Sequence, residues 1–440
     1  MQISDAVCTA CGCLCDDIEV TVDGRQIVAA EHACPLGREW FLRGPSALPV
    51  ATKAGETVPV EQAIEDAAQL LAGARYPLVF GLSHATCEAQ RVAIAIADWL
   101  GGCVDSVTSI HHGLSGTSFA GVGEVTCTLG EVRHRGDLVI FWGTDPAVSH
   151  PRHAERYSLL PPGMFVPGGR ADRTCVVVDV RKTETAAAAD LFLEIKPGAD
   201  FEALWVLRAL AQQVPLDAEQ VAATTGVELA AWQGLLERMK QARFGVVFYG
   251  AGLGATRGRY VNADAVMALV RDMNVFTRFV CLPMRGRGNV AGADEALLWA
   301  TGYPFGVNLS RGYPRFALGE FTAAEVLSCG EPDAALVVGG ELVYDLPDAA
   351  RAHLAAIPTV VLDHGEAAFP YAQIVFRTAP PGLSAAGTMY RTDDVPLPAR
   401  SLVSAPYPSD VEILAALEAR IKQLRRYGRP LVAKERSRRV

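Results

Sequence analysis

Short apolar runs alternate along this chain with longer stretches in which apolar residues recur at helical spacing. The apolar runs are rich in Val, Ile and Leu and lie at residues 78–81, 137–143, 174–179, 245–250, 335–339 and 359–363. Helical spacing is found at residues 63–71, 88–100, 201–213, 261–273 and 410–424. Continuous apolar strands separated by helices are typical of parallel sheets that are covered on both faces. The pattern therefore predicts an α/β protein with several parallel-sheet units.

The first fifty residues follow a different pattern. Residues 18–28 alternate apolar and polar positions around Asp23-Gly24, which predicts a β-hairpin. We therefore expect a small N-terminal β lobe at residues 1–50. The rest of the chain divides into α/β units at residues 51–170, 171–330 and 331–400, followed by a C-terminal helix and basic tail at residues 401–440.

Composition narrows the classes of function. Half of the 440 residues are hydrophobic and 20% are charged, as in a globular protein with several packed units. A net charge of −9 argues against nucleic-acid binding. No apolar stretch approaches the roughly 20 residues of a membrane span, and no secretory signal is evident. Many cysteines without a signal sequence fit the reducing cytoplasm.

The tail differs from the rest of the chain in charge. Seven Arg or Lys residues fall between Arg425 and Arg439. Such a segment is either a solvated tail or a clasp on an acidic partner subunit.

Four cysteines near the N-terminus have the spacing of iron–sulfur ligands. Cys8, Cys11, Cys15 and Cys34 form C-x2-C-x3-C-x18-C, with Cys13 left over. Thiolates at such spacing can wrap a [4Fe–4S] cluster. Four thiolates can also bind zinc, and the residues could equally form disulfides or be relics of a lost site. Spacing favours the cluster and leaves these alternatives open.

Several strands lead into loops with candidate anion-binding groups. In open parallel sheets, ligands bind beyond the carboxyl ends of the strands. Arg181, Lys182 and Thr183 follow one strand and could bind a phosphate, or could form a surface loop with salt bridges. Gly252 and Gly254 follow another, where bare backbone N–H groups can approach an anion, although such glycines are as often simple turns. Arg285 lies in a third, small-residue loop.

Longer sequence blocks resemble the molybdopterin/tungstopterin oxidoreductase superfamily, and more narrowly the B subunit of formylmethanofuran dehydrogenase. The blocks run in order through nearly the whole chain. They are CTACGCLCDDIEV, FWGTDPAVSHPRHAERYS, VVVDVRKTETAAAAD, FYGAGLGATRGRYVNADAVMALVRDMN, PMRGRGNVAG, TGYPFGVNLSRGYPR and APPGLSAAGTMYRTDDVPL. Ordered blocks of this length are far more specific than the cysteine motif alone.

The resemblance implies several α/β domains of the molybdopterin oxidoreductase type beside the N-terminal cysteine lobe. Residues 51–170 would carry the metal-ligand segment and residues 171–330 would form a pterin-binding domain. It also implies a [4Fe–4S] cluster on Cys8, Cys11, Cys15 and Cys34 and a bis-pyranopterin held by the loops around Arg181, Lys182, Thr183, Gly252 and Gly254. The family oxidises formate-level carbon reversibly and passes formate to a partner subunit.

One departure from the family pattern concerns the metal ligand. The dehydrogenases bind their metal through a cysteine or selenocysteine in a Cys-His-Gly segment, whereas this chain has His111-His112-Gly113. His112 matches the family histidine, and His111 stands at the cysteine position. A neutral imidazole is a poorer donor to a high-valent metal than a thiolate. The substitution predicts that molybdopterin or tungstopterin has been lost.

The resemblance then points to the bacterial formyltransferase/hydrolase complex. Its other subunits, of the A, C and D types, transfer a formyl group from formyl-tetrahydromethanopterin to methylofuran and release formate. We expect this chain to be a non-redox B subunit of that complex. An active molybdenum or tungsten dehydrogenase is the alternative, in which His111 contacts the metal and His112 and Arg285 take part in catalysis. A zinc-stabilised interaction protein is a third hypothesis.

Overall fold

The computed structural model describes residues 1–44, 46–111, 121–255, 260–404 and 406–428. Nineteen strands are found in these ranges. They are β1 Gln2–Ala6, β2 Ile18–Asp23, β3 Gln26–Glu31, β4 Ala51–Lys53, β5 Glu56–Thr57, β6 Pro77–Gly81, β7 Cys103–Ser106, β8 Leu138–Trp142, β9 Thr174–Asp179, β10 Leu191–Glu194, β11 Phe244–Tyr249, β12 Arg278–Pro283, β13 Val307–Asn308, β14 Arg315–Phe316, β15 Ala334–Val338, β16 Thr359–Asp363, β17 Ile374–Arg377, β18 Gly387–Tyr390 and β19 Pro396–Ala399.

The α-helices in the same ranges alternate with most of these strands. They are α1 Pro35–Leu42, α2 Val60–Gly73, α3 Cys87–Leu100, α4 Thr108–His111, α5 Leu129–Arg135, α6 Pro146–Ser149, α7 Glu184–Ala187, α8 Asp200–Ala211, α9 Ala218–Thr225, α10 Leu229–Gln241, α11 Ala251–Ala255, α12 Tyr260–Met273, α13 Val290–Thr301, α14 Ala323–Ser328, α15 Asp348–Ala356 and α16 Asp410–Gly428. A π-helix spans Ala154–Ser158, and short 3₁₀ helices span Gly169–Asp172 and Gly340–Asp345. The strands and helices predicted from apolar spacing are all present.

One sheet is fully parallel, with the strand order β10-β9-β8-β11-β12. The central strands β8 and β11 are buried at every residue, as expected for strands covered on both faces. Helices α8, α10 and α12 pack on one face. The N-terminal lobe packs on the other. The carboxyl ends of all five strands therefore meet at one edge.

A second, larger sheet has the order β14-β13-β7-β6-β15-β16-β17-β4-β5. Its central strands β7, β6, β15, β16 and β17 are parallel, and short antiparallel strands extend both sides. Helices α2, α3, α13 and α16 cover one face, and α14 and α15 cover the other. The C-terminal helix α16 contributes the fully buried Leu414, Leu417 and Ile421 to this core.

The N-terminal lobe is a three-stranded antiparallel sheet, β1-β2-β3. The predicted hairpin is confirmed, because β2 and β3 pair around Asp23-Gly24 and Gly24 adopts a φ of +58°. The expected fold class is confirmed as a mixed α/β architecture with parallel sheets and a small cysteine-bearing lobe.

The two large sheets are not divided at the boundaries expected from the sequence. The boundary at residue 170 falls between β8 and β9, which are paired neighbours. Strands β6 and β15 are also paired, although more than 250 residues separate them. The consecutive segments 51–170, 171–330 and 331–400 therefore each contribute to more than one unit. Within the described ranges, no helix combines the length and hydrophobicity needed to cross a membrane.

Candidate functional site

The cysteine loop lies between β1 and β2 and closes on itself. The backbone N–H of Cys8 donates to the carbonyl of Cys15 at 2.8 Å, and that of Leu14 donates to the carbonyl of Cys11 at 3.2 Å. Leu14 has a φ of +39°, so the turn is tight. These bonds hold Cys8, Cys11 and Cys15 on one short loop, and all three are buried.

Cys34 reaches the same place from a separate element. It is the N-cap of α1, and its sulfur accepts a hydrogen bond from Gly37 N at 3.4 Å. A Cβ atom on Gly37 would lie 3.1 Å from the Cys8 sulfur and 3.8 Å from the Cys34 sulfur, so glycine is needed for this approach. Burial raises the pKa of Cys8 well above its usual range, and the nearby Cys11, Cys15 and Cys34 raise it further. The structure thus brings the four predicted ligands together.

The fifth cysteine of the loop supports this group. Cys13 is fully buried and hydrogen-bonds to Cys11, which lowers the pKa of the Cys11 thiol. All eleven cysteines are described, and all are free thiols, so the disulfide alternative is wrong for this structure. Among the described residues, no three His, Cys, Asp or Glu side chains are placed to hold a single metal ion.

Arginine side chains act on two of the four thiols, Cys11 and Cys15. The positive charge of Arg287 lowers the pKa of Cys11, and that of Arg156 limits the rise caused by burial at Cys15, whose pKa is about 11. Nη1 of Arg156 is also buried without a hydrogen-bond partner in the described chain. Buried thiols beside unsatisfied cationic donors fit a thiolate-bound group with net negative charge, such as a [4Fe–4S] cluster.

The loops predicted to bind anions lie at the carboxyl edge of the parallel sheet. Two of their residues, Thr183 and Gly252, make contacts with other parts of the chain. Arg181 and Lys182 are exposed after β9. The Thr183 hydroxyl accepts a hydrogen bond from Ala186 N at 3.1 Å and caps α7. Gly252 packs against the loop after β8, where an added Cβ would lie 2.7 Å from the Gly143 carbonyl oxygen. Gly254 is half-buried in α11.

Arg285 is buried after β12 in a network of carboxylates. Its Nη1 donates to Asp294 Oδ2 at 2.5 Å, and Asp394 lies 3.8 Å from Nη2. Burial raises the pKa of Asp294 to about 6, although the Arg285 charge opposes this rise. Burial also raises the pKa of nearby Glu124 to about 7. Side chains of the protein itself therefore oppose the charge of the guanidinium at Nη1 and Nη2, while Nε has no hydrogen-bond partner among the described residues.

The same network reaches the segment that carries His111. Ser106 Oγ and Thr108 Oγ1 donate to the two Asp294 oxygens at 3.0 and 2.9 Å. Ser106 ends β7 and Thr108 begins α4, whose last residue is His111. His111 thus follows a strand at the carboxyl edge of the larger sheet. His112 lies outside the described residues.

A cavity of about 290 Å³ separates the cysteine lobe from that edge. Arg43 and Trp40 form its lobe side, with the Arg43 guanidinium 3.8 Å from the centre of the Trp40 ring. Trp40 Nε1, Arg43 Nη2 and His364 Nδ1 are buried without a hydrogen-bond partner in the described chain. The wall also includes Thr9, Ala10, Leu36, Glu39, His84, Arg287, Gly288, Glu341, Asp363, Gly365, Pro381 and Met389. The unsatisfied N–H groups of Trp40 and Arg43 suit a ligand with acceptor atoms.

The sequence reasoning missed several of these residues. Asp363 and His364 follow the predicted strand β16, so the carboxyl-edge rule could have identified them. Asp294 gave no local signal, because Ser106 and Thr108, which donate to it, lie far away in the sequence. Arg156 sits in the HPRHAERYS block, where the four-residue spacing of Arg152 and Arg156 was the available indication.

Curated proteins similar to this chain in sequence are subunits of two related enzyme complexes. No family model matches the chain. The B subunit of tungsten-containing formylmethanofuran dehydrogenase 2 of Methanocaldococcus jannaschii is 39% identical over 433 residues, covering 96% of this chain and 99% of the relative. The B subunit of the formyltransferase/hydrolase complex Fhc of Methylorubrum extorquens is 28% identical over 378 residues, covering 84% and 96%.

Solved structures share the fold. The formyltransferase/hydrolase complex FhcABCD from Methylorubrum extorquens, solved with methylofuran, matches with a TM-score of 0.70 and 24% identity, covering 85% of this chain and 99% of the matched chain. Acetylene hydratase from Pelobacter acetylenicus matches with a TM-score of 0.69 and 14% identity, covering 96% and 69%. Both TM-scores show that these structures and the chain have the same fold. With 39% identity over almost its entire length to one such relative, the chain belongs to the B-subunit family of formylmethanofuran dehydrogenase.

Proposed function

We propose that the chain is a non-redox B subunit of a complex that transfers formyl groups and releases formate. In this role it supports transfer from formyl-tetrahydromethanopterin to methylofuran during one-carbon oxidation in the cytoplasm. Its partners are subunits of the A, C and D types. The relatives support the assembly, since they are named as subunits, and one matched structure is the four-component FhcABCD complex.

His111 is the observation that carries the proposal. It occupies the position at which the family places its metal-binding cysteine or selenocysteine, at the end of α4 and beyond a strand of the larger sheet. Imidazole lacks the charge and softness of a thiolate, so it is a poor replacement as a ligand of high-valent tungsten or molybdenum. We therefore propose that this chain binds no pyranopterin metal centre.

The pairing of Arg285 with carboxylates supports the same proposal. An arginine that binds an anionic substrate or cofactor needs a free guanidinium edge. Here Asp294 accepts from Nη1, and Asp394 lies close to Nη2. Ser106 and Thr108 complete the bonding of Asp294. This arrangement suits a structural ion pair that joins the two sheets.

We propose further that Cys8, Cys11, Cys15 and Cys34 retain a [4Fe–4S] cluster. When bound, such a cluster supplies one-electron chemistry, or serves as a structural crosslink between the cysteine loop and α1. The buried, mutually close thiols and the cationic side chains around them support this proposal.

An active tungsten or molybdenum dehydrogenase remains the second candidate. Two observations favour it. The chain is 39% identical to a tungsten-containing relative and 28% identical to the Fhc protein. The chain also retains all four predicted cluster ligands, Cys8, Cys11, Cys15 and Cys34, although a non-redox subunit has no need to transfer electrons.

Elemental analysis of the natively expressed complex, purified without oxygen, separates the two candidates. We expect tungsten and molybdenum to be far below one atom per chain, with iron retained. Tungsten or molybdenum near one atom per chain would overturn the non-redox proposal.

Substitution of His111 provides an independent test. His111→Ala should leave formyl transfer to methylofuran unchanged, as should His134→Ala, a control on the exposed surface of α5. Formate-dependent dye reduction that is present in the wild type and lost only in His111→Ala would favour the dehydrogenase.

A further inference from the structure

The π-helix Ala154–Ser158 and the turn before it pack directly on the cysteine loop. Arg156 donates from Nη2 to Asp16 Oδ1 at 2.7 Å, and its Nε lies 3.5 Å from Asp17 Oδ2. Asp16 and Asp17 follow Cys15 immediately in the sequence. Tyr157 adds a long contact of 3.5 Å from its hydroxyl to the Cys13 carbonyl. The segment therefore fixes the end of the loop that carries Cys15.

Arg156 also places a positive charge in the protein interior beside Asp16, the residue that follows Cys15. The Arg156 side chain is 15% exposed, so water screens this charge only weakly.

The remaining terminal nitrogen of Arg156 is unsatisfied. Nη1 is buried and has no hydrogen bond of normal geometry within the described chain. A buried cationic N–H without an acceptor is costly, whereas a thiolate or sulfide with full negative charge would satisfy it. The neutral thiol is a much weaker acceptor.

Arg152 provides the contrast. It lies four residues earlier and is equally cationic, but Nη1 and Nη2 both bind the Asp17 carboxylate at 2.7 Å. Nη2 also contacts Glu155 at 3.0 Å. Both terminal nitrogens of Arg152 thus bind carboxylates, whereas Nη1 of Arg156 has no acceptor among the described residues.

We infer that Arg156 is a positioning residue for the cluster, which holds the Cys15 end of the loop through Asp16 and raises the cluster's reduction potential through its buried positive charge and its free Nη1 donor. Hydrogen bonds to the sulfurs and local net charge both set the potentials of iron–sulfur clusters. The inference rests on the proposed [4Fe–4S] cluster. It is independent of whether tungsten or molybdenum is present.

The test is an anaerobic potentiometric titration of the complex, with the reduced cluster followed by electron paramagnetic resonance. Arg156→Gln should lower the midpoint potential, because both the donor and the charge are removed. Arg156→Lys should lower it less, because the charge stays while the guanidinium fork that binds Asp16 and carries the free Nη1 is lost. Arg152→Gln is the matched control and should give the smallest shift, since both terminal nitrogens of Arg152 already bind carboxylates.

Iron and sulfide content is measured on each variant. It shows whether a changed midpoint potential comes from altered positioning of the cluster or from loss of the cluster. Equal potentials in all cluster-containing variants would overturn the role of Arg156, as would a larger shift in Arg152→Gln than in Arg156→Gln. If Arg156→Gln loses its iron, the comparison of Arg156→Lys with the wild type decides the question. A wild-type complex without iron would overturn the cluster and this inference together, and would leave the formyl-transfer role intact.

Discussion

At the scale of single residues, the same residue type serves different purposes, and its neighbours decide which. The sequence predicts that Gly252 binds a cofactor, and that Arg285 takes part in catalysis if the chain is an active dehydrogenase. Gly252 instead allows two loops to touch, and Arg285 forms an ion pair with Asp294. Cys34, in contrast, has the expected place beside the other thiols. Spacing identifies the cysteines because the loop keeps three of them within eight residues, whereas the partners of Gly252 and Arg285 come from other parts of the chain.

Because Gly252 makes a close contact and Gly234 does not, replacing each by alanine should change the stability of the protein in opposite directions. Gly252→Ala should destabilise the protein by about 1–3 kcal/mol, because the new Cβ would meet the Gly143 carbonyl. Gly234→Ala should stabilise it by about 0.5–1 kcal/mol, since Gly234 lies within α10 and an added Cβ there would have no atom within 4 Å. Chemical denaturation measures both. Equal effects would contradict the assignment of Gly252 to loop packing.

At the scale of elements, Asp105 connects β7 to two segments far away in the sequence. Its carboxylate accepts from Gly306 N at 2.8 Å and from Ala323 N, at the start of α14, at 2.6 Å. Ser109 in α4 donates to it at 2.6 Å. One carboxylate thus holds the strand and the helix that lead to His111. Strand and helix patterns predicted these elements, but they contain no information on such a connection.

This arrangement predicts the effect of Asp105→Asn. The amide nitrogen cannot accept a hydrogen bond, so buried N–H groups lose a partner, and we expect a loss of about 1–3 kcal/mol in the free energy of unfolding. Burial raises the pKa of Asp105 to about 7. The folded protein therefore keeps a proton that the unfolded chain releases near its usual pKa, and the contribution of Asp105 to stability falls as the pH rises from about 4 to about 7.

The stability difference between the wild type and Asp105→Asn should accordingly narrow across that pH range, by at most about 1.4 kcal/mol per pH unit. Denaturant unfolding at several pH values measures it. The exposed Asp98→Asn in α3 is the control and should show little change. A difference that widens with rising pH would show that the carboxylate form is the favoured one.

At the scale of the whole molecule, each of the two large sheets pairs strands from distant parts of the sequence. Strand β8 pairs with β9 on one side and β11 on the other, while β6 and β7 pair into a sheet completed by β15, β16 and β17. A cut at residue 170 would separate β8 from β9 and β11, and β6 from β15. The domains are therefore interdependent in folding.

Cutting the chain at the boundary inferred from its sequence tests this interdependence. Residues 1–170 and 171–440, expressed separately, should each fail to unfold cooperatively, because each would expose unpaired edges of both sheets. Circular dichroism during heating measures this. Co-expression is the control, since the two pieces together contain every strand. A cooperative transition in fragment 1–170 alone would argue for a self-contained N-terminal unit.

The sequence by itself determined the α/β class, the positions of the strands and helices, the hairpin and the four clustered cysteines. These features depend on local periodicity or short spacing, which act between residues close together in the chain. The family also followed from the sequence, through long blocks in a fixed order. Only the tertiary structure decided that Arg285 is paired with carboxylates, that Gly252 packs against another loop and that Arg156 binds Asp16 beside Cys15. Each of these depends on contacts between distant segments, whose geometry is set when the two sheets and the lobe pack together.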